Sequence, residues 1–313
     1  MLSRIAESLF WIGRYVERAE GTARILEVQT QLILEDPTVD EPATCASILA
    51  VMGIPAELGE TVNVPEMLSR LAYDPESPTS IAACLIAARE SARRARETLS
   101  TSLWEALNTT YRTIPAGTFA TNARLFAWVR DRSALINGTA DATMMRDEGW
   151  HFLVLGRSIE RADMTARLVA AAAIARGDAW TTTLRACGGY EAFLRSQHGV
   201  VTDGGAAEFL LRDRLFPRSV LAALNQAEDC LADLDATGGR IATRDEGVRL
   251  LGRIRADLEY RHLRDLLTDL PEEMERLQHS CIEATDAITS KYFAGAEARH
   301  WRDGVSIGAQ PCT

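Results

Sequence analysis

A chain of 313 residues, 47% hydrophobic and 25% charged, is long enough to bury a sizeable core without disulfide or metal staples, and no stretch has the composition of a disordered segment. Acidic residues outnumber basic ones by 44 to 34, and a net charge of −10 repels phosphate backbones, which argues against general nucleic-acid binding. The basic set holds a single lysine, Lys291; this arginine skew, with the alanine richness, is expected of a GC-rich bacterial genome.

Residues 1 to about 34 carry Ile5, Leu9, Ile12, Val16, Ala19, Ala23 and Leu26 on one side of a helical wheel, the pattern of a long core helix. From 36 to 78 the chain holds six of its ten prolines, which predicts a loop-rich insertion with short helices at best. Thr79-Ser80 are good caps for a helix running to about Leu99, and a second helix follows from about Ser102 to Tyr111. Ala120 to Ile136 reads as a helix stopped by Asn137-Gly138, and Arg146 to Arg176 as another very long one ending at Gly177. Further helices are expected near 180–195, 205–235, 244–267 and 271–294, with Pro217 kinking or dividing the second and Pro271 opening the last. Gly188-Gly189 and Gly204-Gly205 read as turns, since neither has the strand-to-helix setting of a phosphate loop. With no alternating β-branched runs, the fold class is all-α: a helical bundle as one domain over 1–294, followed by a flexible tail, 295–313, with Trp301 as a docking candidate. Trp11, Trp104, Trp128, Trp150 and Trp180 fall at helical spacing and are expected to fill core.

Cys45, Cys84, Cys187, Cys230, Cys281 and Cys312 lie far apart with no metal-ligand spacing, as expected of reduced thiols in a cytoplasmic protein. No targeting segment is evident, and the longest apolar runs, such as Leu168 to Ala175, fall short of the roughly 18 residues of a membrane span.

The most specific feature is internal. Gly13-Arg14-Tyr15-Val16-Glu17-Arg18-Ala19-Glu20-Gly21-Thr22-Ala23-Arg24 recurs as Gly156-Arg157-Ser158-Ile159-Glu160-Arg161-Ala162-Asp163-Met164-Thr165-Ala166-Arg167, with eight of twelve positions identical. Duplication of a helical half is the expected origin. At about 100° per residue, Arg14, Glu17, Arg18 and Arg24 cluster opposite the apolar stripe, yet Phe10, Gly21 and Ile25 lie among them. The charged side is therefore expected to be covered, leaving the helix buried on both faces. Buried carboxylates and guanidiniums need partners, so the two copies should meet across a pseudo-two-fold axis, the glutamate of one accepting the arginine fork of the other. The surplus of arginine in Arg14, Glu17, Arg18, Arg24, Arg157, Glu160, Arg161 and Arg167 could hold the carboxylate or phosphate of an acidic small molecule or peptide. The alternative is a structural lock that only fixes helix register.

At these residues the sequence resembles the bacterial alpha-E family, helical proteins defined by Glu-Arg motifs. The resemblance extends through Ala88-Arg89-Glu90-Ser91-Ala92-Arg93, Leu103-Trp104-Glu105-Ala106-Leu107-Asn108, Gly149-Trp150 onward and Phe216-Pro217-Arg218-Ser219-Val220, nearly the whole chain. It implies association with a circularly permuted ATP-grasp protein and often a transglutaminase-like peptidase. Because ATP-grasp enzymes join a carboxylate to an amine, it also implies a helper role in making or processing a peptide-like product. Glu17-Arg18 and Glu160-Arg161 are the motif residues so implied, with Glu90 as a further candidate and no cofactor.

Two other readings have different chemistry. Glu17 or Glu160 could act as the general base of a stand-alone enzyme if burial raised its pKa, although surplus arginine would lower it. Two Glu-x-x-His pairs, Glu148 with His151 and Glu259 with His262, have the spacing of a di-metal carboxylate bundle, with Glu17 and Glu90 to complete it; ordinary solvated or capping histidines are the plainer expectation. Ser219 lacks a nucleophile elbow and reads as a helix cap.

Overall fold

Apolar periodicity near 3.6 residues runs through the chain. In the computed structural model, which describes residues 1–54, 57, 59–115, 122–175, 178–196, 201–235 and 245–293, it yields helices and, among those residues, no strand. The first half holds α1 (Ser3–Glu35), α2 (Glu41–Val51), α3 (Val64–Leu68), a π-helical turn (Ser69–Tyr73), α4 (Ile81–Arg94), α5 (Thr101–Arg112) and α6 (Asn122–Thr143). The second holds α7 (Glu148–Ile174), α8 (Ala179–Ala186), α9 (Tyr190–Ser196), α10 (Asp203–Arg212), α11 (Val220–Leu234), α12 (Glu246–Tyr260), α13 (Leu263–Thr268) and α14 (Leu270–Tyr292). Side chains of Asp40, Asn63, Ser80, Ser100, Asp147, Thr202, Ser219 and Asp245 accept first-turn N–H groups and set where eight helices begin. Such a cap is worth ~1 kcal/mol.

Three expectations need correction. Asn137-Gly138 does not stop α6, which continues to Thr143. Ile136 and Ala140, on either side, are fully buried, and their burial outweighs the ~1 kcal/mol that a mid-helix glycine costs. Gly204-Gly205 is not a turn but the first turn of α10, where a Cβ on Gly205 would stand 2.8 Å from the capping Thr202 hydroxyl. The segment 244–267 is interrupted at Arg261, whose extended backbone ends α12. The predicted break at Pro217 is present between α10 and α11, and the turn at Gly188 has φ +67°. The insertion 36–78 carries α2, α3 and the π-helical turn. Trp180 is buried, whereas Trp11, Trp104, Trp128 and Trp150 pack half-buried against the core. The tail 295–313, with Trp301 and Cys312, lies outside the described residues, as do Gly177 and Ala120.

The two longest helices sit at the centre. Met1 meets Glu148, Leu9 approaches Gly149, Gly13 meets Leu153 and Gly21 meets Met164, so residue numbers rise together and α1 and α7 run parallel. Each is then walled in by neighbours in a similar circuit. Helix α1 packs on α4 and α6, with α5 between those two, and α7 packs on α11 and α14, with α12 between them. The approaches to α4 and α11 are also built alike. Ser80 Oγ and Ser219 Oγ donate to the carbonyls of Asp74 and Asp213, six residues upstream, while Ala83 and Ala222 donate to the serine hydroxyls.

Candidate functional site

What brings α1 and α7 together is the missing side chain at two positions. A Cβ on Gly13 would stand 2.0 Å from the Leu153 carbonyl oxygen, and one on Gly156 would stand 2.0 Å from the Phe10 carbonyl oxygen. Phe10 and Leu153 occupy equivalent places in the repeat, so the contact is reciprocal. Backbone-to-backbone approach of this kind is open only to glycine.

One turn further along, the charged residues cross the seam. Glu160 accepts Arg14 Nε at 2.6 Å, Arg18 Nε at 2.5 Å and Arg18 Nη2 at 3.0 Å. In the other direction Arg161 donates to both oxygens of Glu17, Nε at 2.9 Å and Nη2 at 2.7 Å, in the bidentate geometry suited to a planar fork. Both glutamates are 1% exposed. Thus the structure brings Glu17, Arg18, Glu160 and Arg161 together, sheltered from water, and α1 is buried on its charged face as well as its apolar one.

Three residues not singled out as site candidates complete the network. Arg218, at the approach to α11, donates from Nη1 to Glu17 at 2.6 Å and from Nη2 to Glu20 at 2.5 Å. Glu20 also accepts Arg24 Nε at 2.9 Å, and its counterpart Asp163 accepts Arg167 Nε at 2.8 Å. The i,i+4 spacing of Glu20 to Arg24 and of Asp163 to Arg167 is the signal that finds the last two. These pairs also shrink the arginine surplus read from the repeat. Arg157 departs from symmetry: its nearest acid is Asp141, 3.7 Å away. Arg14 Nη1 is held by the Thr285 hydroxyl at 3.0 Å.

The electrostatics follow from these partners. Burial pushes the Glu17 carboxyl up, but Arg161 and Arg218 outweigh it and hold the group at about 2. For Glu160, burial is likewise overcome by Arg18 and Arg14, with the same result of about 2. Asp163 differs, since burial raises it and Arg167 only partly offsets that; its Oδ1 has no hydrogen-bond partner among the described residues. Cys187, beside Arg218 and Arg24, is pushed up to about 12 by burial, which makes it an inert thiol.

Other candidates do not join this cluster. Glu90 pairs with Arg89 and Arg93 on its own helix. Glu148 binds the Met1 ammonium at 2.7 Å, His151 Nδ1 lies 3.5 Å from Asp233, Glu259 pairs with Arg214 and Arg255, and His262 stands at the start of α13. Among the described residues no group of three or more His, Cys, Asp and Glu side chains is disposed to hold a metal ion. Ser219 is a cap, as its position after a proline turn predicts.

Comparison with known proteins is consistent with this geometry. A family model named Alpha-E, for a predicted alpha-helical domain with a conserved ER motif, matches residues 1–293. An uncharacterized protein of Mycobacterium bovis is 27% identical over 312 residues, covering 90% of this chain and 34% of its own length. An uncharacterized protein of Mycobacterium tuberculosis strain H37Rv is 26% identical with the same coverage. The chain thus spans about a third of the length of these curated relatives. No solved structure matches it.

Proposed function

The chain belongs to the Alpha-E family, and on that premise we propose that it is a helical accessory or substrate-presenting partner of an ATP-grasp-type amide or peptide ligase. In this reading the product is peptide-like, the cell compartment is the cytoplasm, and the partners are a circularly permuted ATP-grasp protein and a transglutaminase-like protein. The observation that carries a helper role is the saturation of the central carboxylates. Glu17 and Glu160 are enclosed, each bound by two arginines and held at about 2, which is the opposite of a base poised near neutral pH. That weighs against the stand-alone enzyme.

The network then has two parts with different work. Arg14 and Arg18 are buried and committed to Glu160, so they brace α1 against α7. An acidic group of the substrate is held instead by the rim, where Arg161 and Arg24 are 19% and 24% exposed and Arg157, Arg167 and Arg218 are also in reach of water. The extra two-thirds of chain in the mycobacterial relatives supports a domain that works beside other protein. Co-expression with a circularly permuted ATP-grasp protein tests the reading: the two are expected to co-purify. Arg161→Ala or Arg24→Ala should leave ATP hydrolysis intact and abolish product. Failure to co-purify, or undiminished product from both variants, overturns it.

A further inference from the structure

Where α1 and α7 leave their glycine contact and run on toward their C-terminal ends, a cavity of about 810 Å³ opens between them, closed by α2, α8 and α14. That volume is within the ~300–1,000 Å³ range of small-ligand sites. Most of its wall is apolar and small, Ala170, Ala171 and Ala172 of α7 included, and two amides, Gln29 of α1 and Gln278 of α14, belong to the lining.

Its charge differs between its two ends. Arg167 lines one end, and its guanidinium plane is fixed because Nε donates to Asp163 at 2.8 Å and Nη1 to the Val51 carbonyl at 3.2 Å. No described residue accepts from Nη2, which is therefore the donor offered to a ligand. The other end is bordered by Asp36, Asp40 and Asp178, and among the described residues the lining contains no cation besides Arg167. From Arg167 to Ile174, the last residue of α7, is seven steps, or ~10.5 Å at 1.5 Å per residue. An extended tripeptide spans ~10–11 Å, at about 3.3–3.6 Å per residue.

We propose that this cavity binds a short apolar peptide of about three residues, its terminal carboxylate on Arg167 and its terminal ammonium toward Asp36, Asp40 and Asp178. The peptide's amide groups have Gln29 and Gln278 to bond with, and its side chains meet alanines. This deepens the accessory reading and rests on it, by giving the peptide-like substrate a seat on this chain.

Calorimetric titration of the whole chain with trialanine, trialanine C-terminal amide and N-acetyl-trialanine tests the site. Trialanine is expected to bind saturably, the amide at least tenfold more weakly and the N-acetyl form more weakly as well. Arg167→Ala should lower affinity at least tenfold. Because that variant strips Asp163 of its partner, Ala171→Phe is the second probe: it puts a bulky ring into the lining, keeps both Arg167 and Asp163 in the chain, and should abolish binding in a chain that melts like the parent. No saturable binding of trialanine, equal affinity for its amide, or undiminished binding by Ala171→Phe overturns the proposal. Co-purification with the ATP-grasp protein is scored in parallel. Its retention without peptide binding removes the cavity alone, and its loss with peptide binding intact removes the accessory role alone.

Discussion

Gly156→Ala puts the seam between α1 and α7 to a test in which two effects have opposite signs. In an isolated helix the change stabilises by ~1 kcal/mol, because alanine is the better helix former. Here the new Cβ would sit 2.0 Å from the Phe10 carbonyl oxygen, so the helices must part by about 1 Å to reach even the 3.0 Å that real Cβ contacts rarely undercut. The same displacement stretches Arg14–Glu160 from 2.6 Å and Arg161–Glu17 from 2.7 Å beyond the ~2.7–3.2 Å range of good hydrogen bonds. Overpacking costs ~1–3 kcal/mol and each weakened bond to a charged group up to ~1.5–3 kcal/mol, of which the flexible arginines recover a part. The net expectation is a loss of about 3 kcal/mol. Urea unfolding at neutral pH measures it, with Gly138→Ala as the control: that position in α6 has open space around it, and the substitution should stabilise by ~0.5–1 kcal/mol. If Gly156→Ala raises the urea midpoint as Gly138→Ala does, the seam is not the close backbone contact described above.

Glu160→Gln removes the buried carboxylate that Arg14 and Arg18 share and should cost ~3–5 kcal/mol, read from the same urea curves. Glu17 and Glu160 have folded pKa values of about 2 against 4.5 in the unfolded chain, so the stability they supply is complete above pH 4.5 and lost as pH falls toward 2. At ~1.4 kcal/mol per unit this is about 3 kcal/mol for each. Asp163, with a raised pKa, acts in the opposite sense: its contribution is present below pH 3.8 and lost as pH rises through the raised value. Unfolding free energy measured from pH 6 to pH 2 should therefore fall steeply in the parent and less steeply in Glu160→Gln; parallel curves would show that Glu160 is not held low. Ser219→Ala removes the α11 cap and should lower stability by ~1 kcal/mol in thermal melts, without effect on any product formed with the partner.

The core of the site was legible because it lies within two continuous helices. The 143-residue offset and the helical wheel together place glutamate of one copy opposite arginine of the other, and no knowledge of the intervening chain is needed. Arg218 was hidden for the opposite reason, since it reaches Glu17 and Glu20 from the turn before α11, whose docking is a tertiary fact. A trace of it exists in the sequence. Asp74 to Ser80 and Asp213 to Ser219 share an Asp-x-x-x-Pro-x-Ser pattern, in which Arg218 stands where Thr79 does, but three residues in seven are too sparse to stand out. The cavity beside Arg167 was out of reach altogether, because α2 and α8, which close it, come from segments where proline and glycine interrupt the apolar period. Asn137-Gly138 misled for a related reason: a local stop signal was overridden by the burial of Ile136 and Ala140.

The parallel course of α1 and α7 has a consequence for how the chain is born. Antiparallel helices can fold back on each other as soon as a short loop is made, but a parallel pair must wait for everything between them. About 140 residues separate the two repeats, and at ~5–20 residues per second a ribosome takes on the order of ten seconds to supply them. Through that interval Arg14, Glu17 and Arg18 are expected to stay in water on a nascent helix whose other face can already meet α4 and α6. The charges that are most costly to bury keep the waiting surface soluble until α7 emerges, and only then does the seam close.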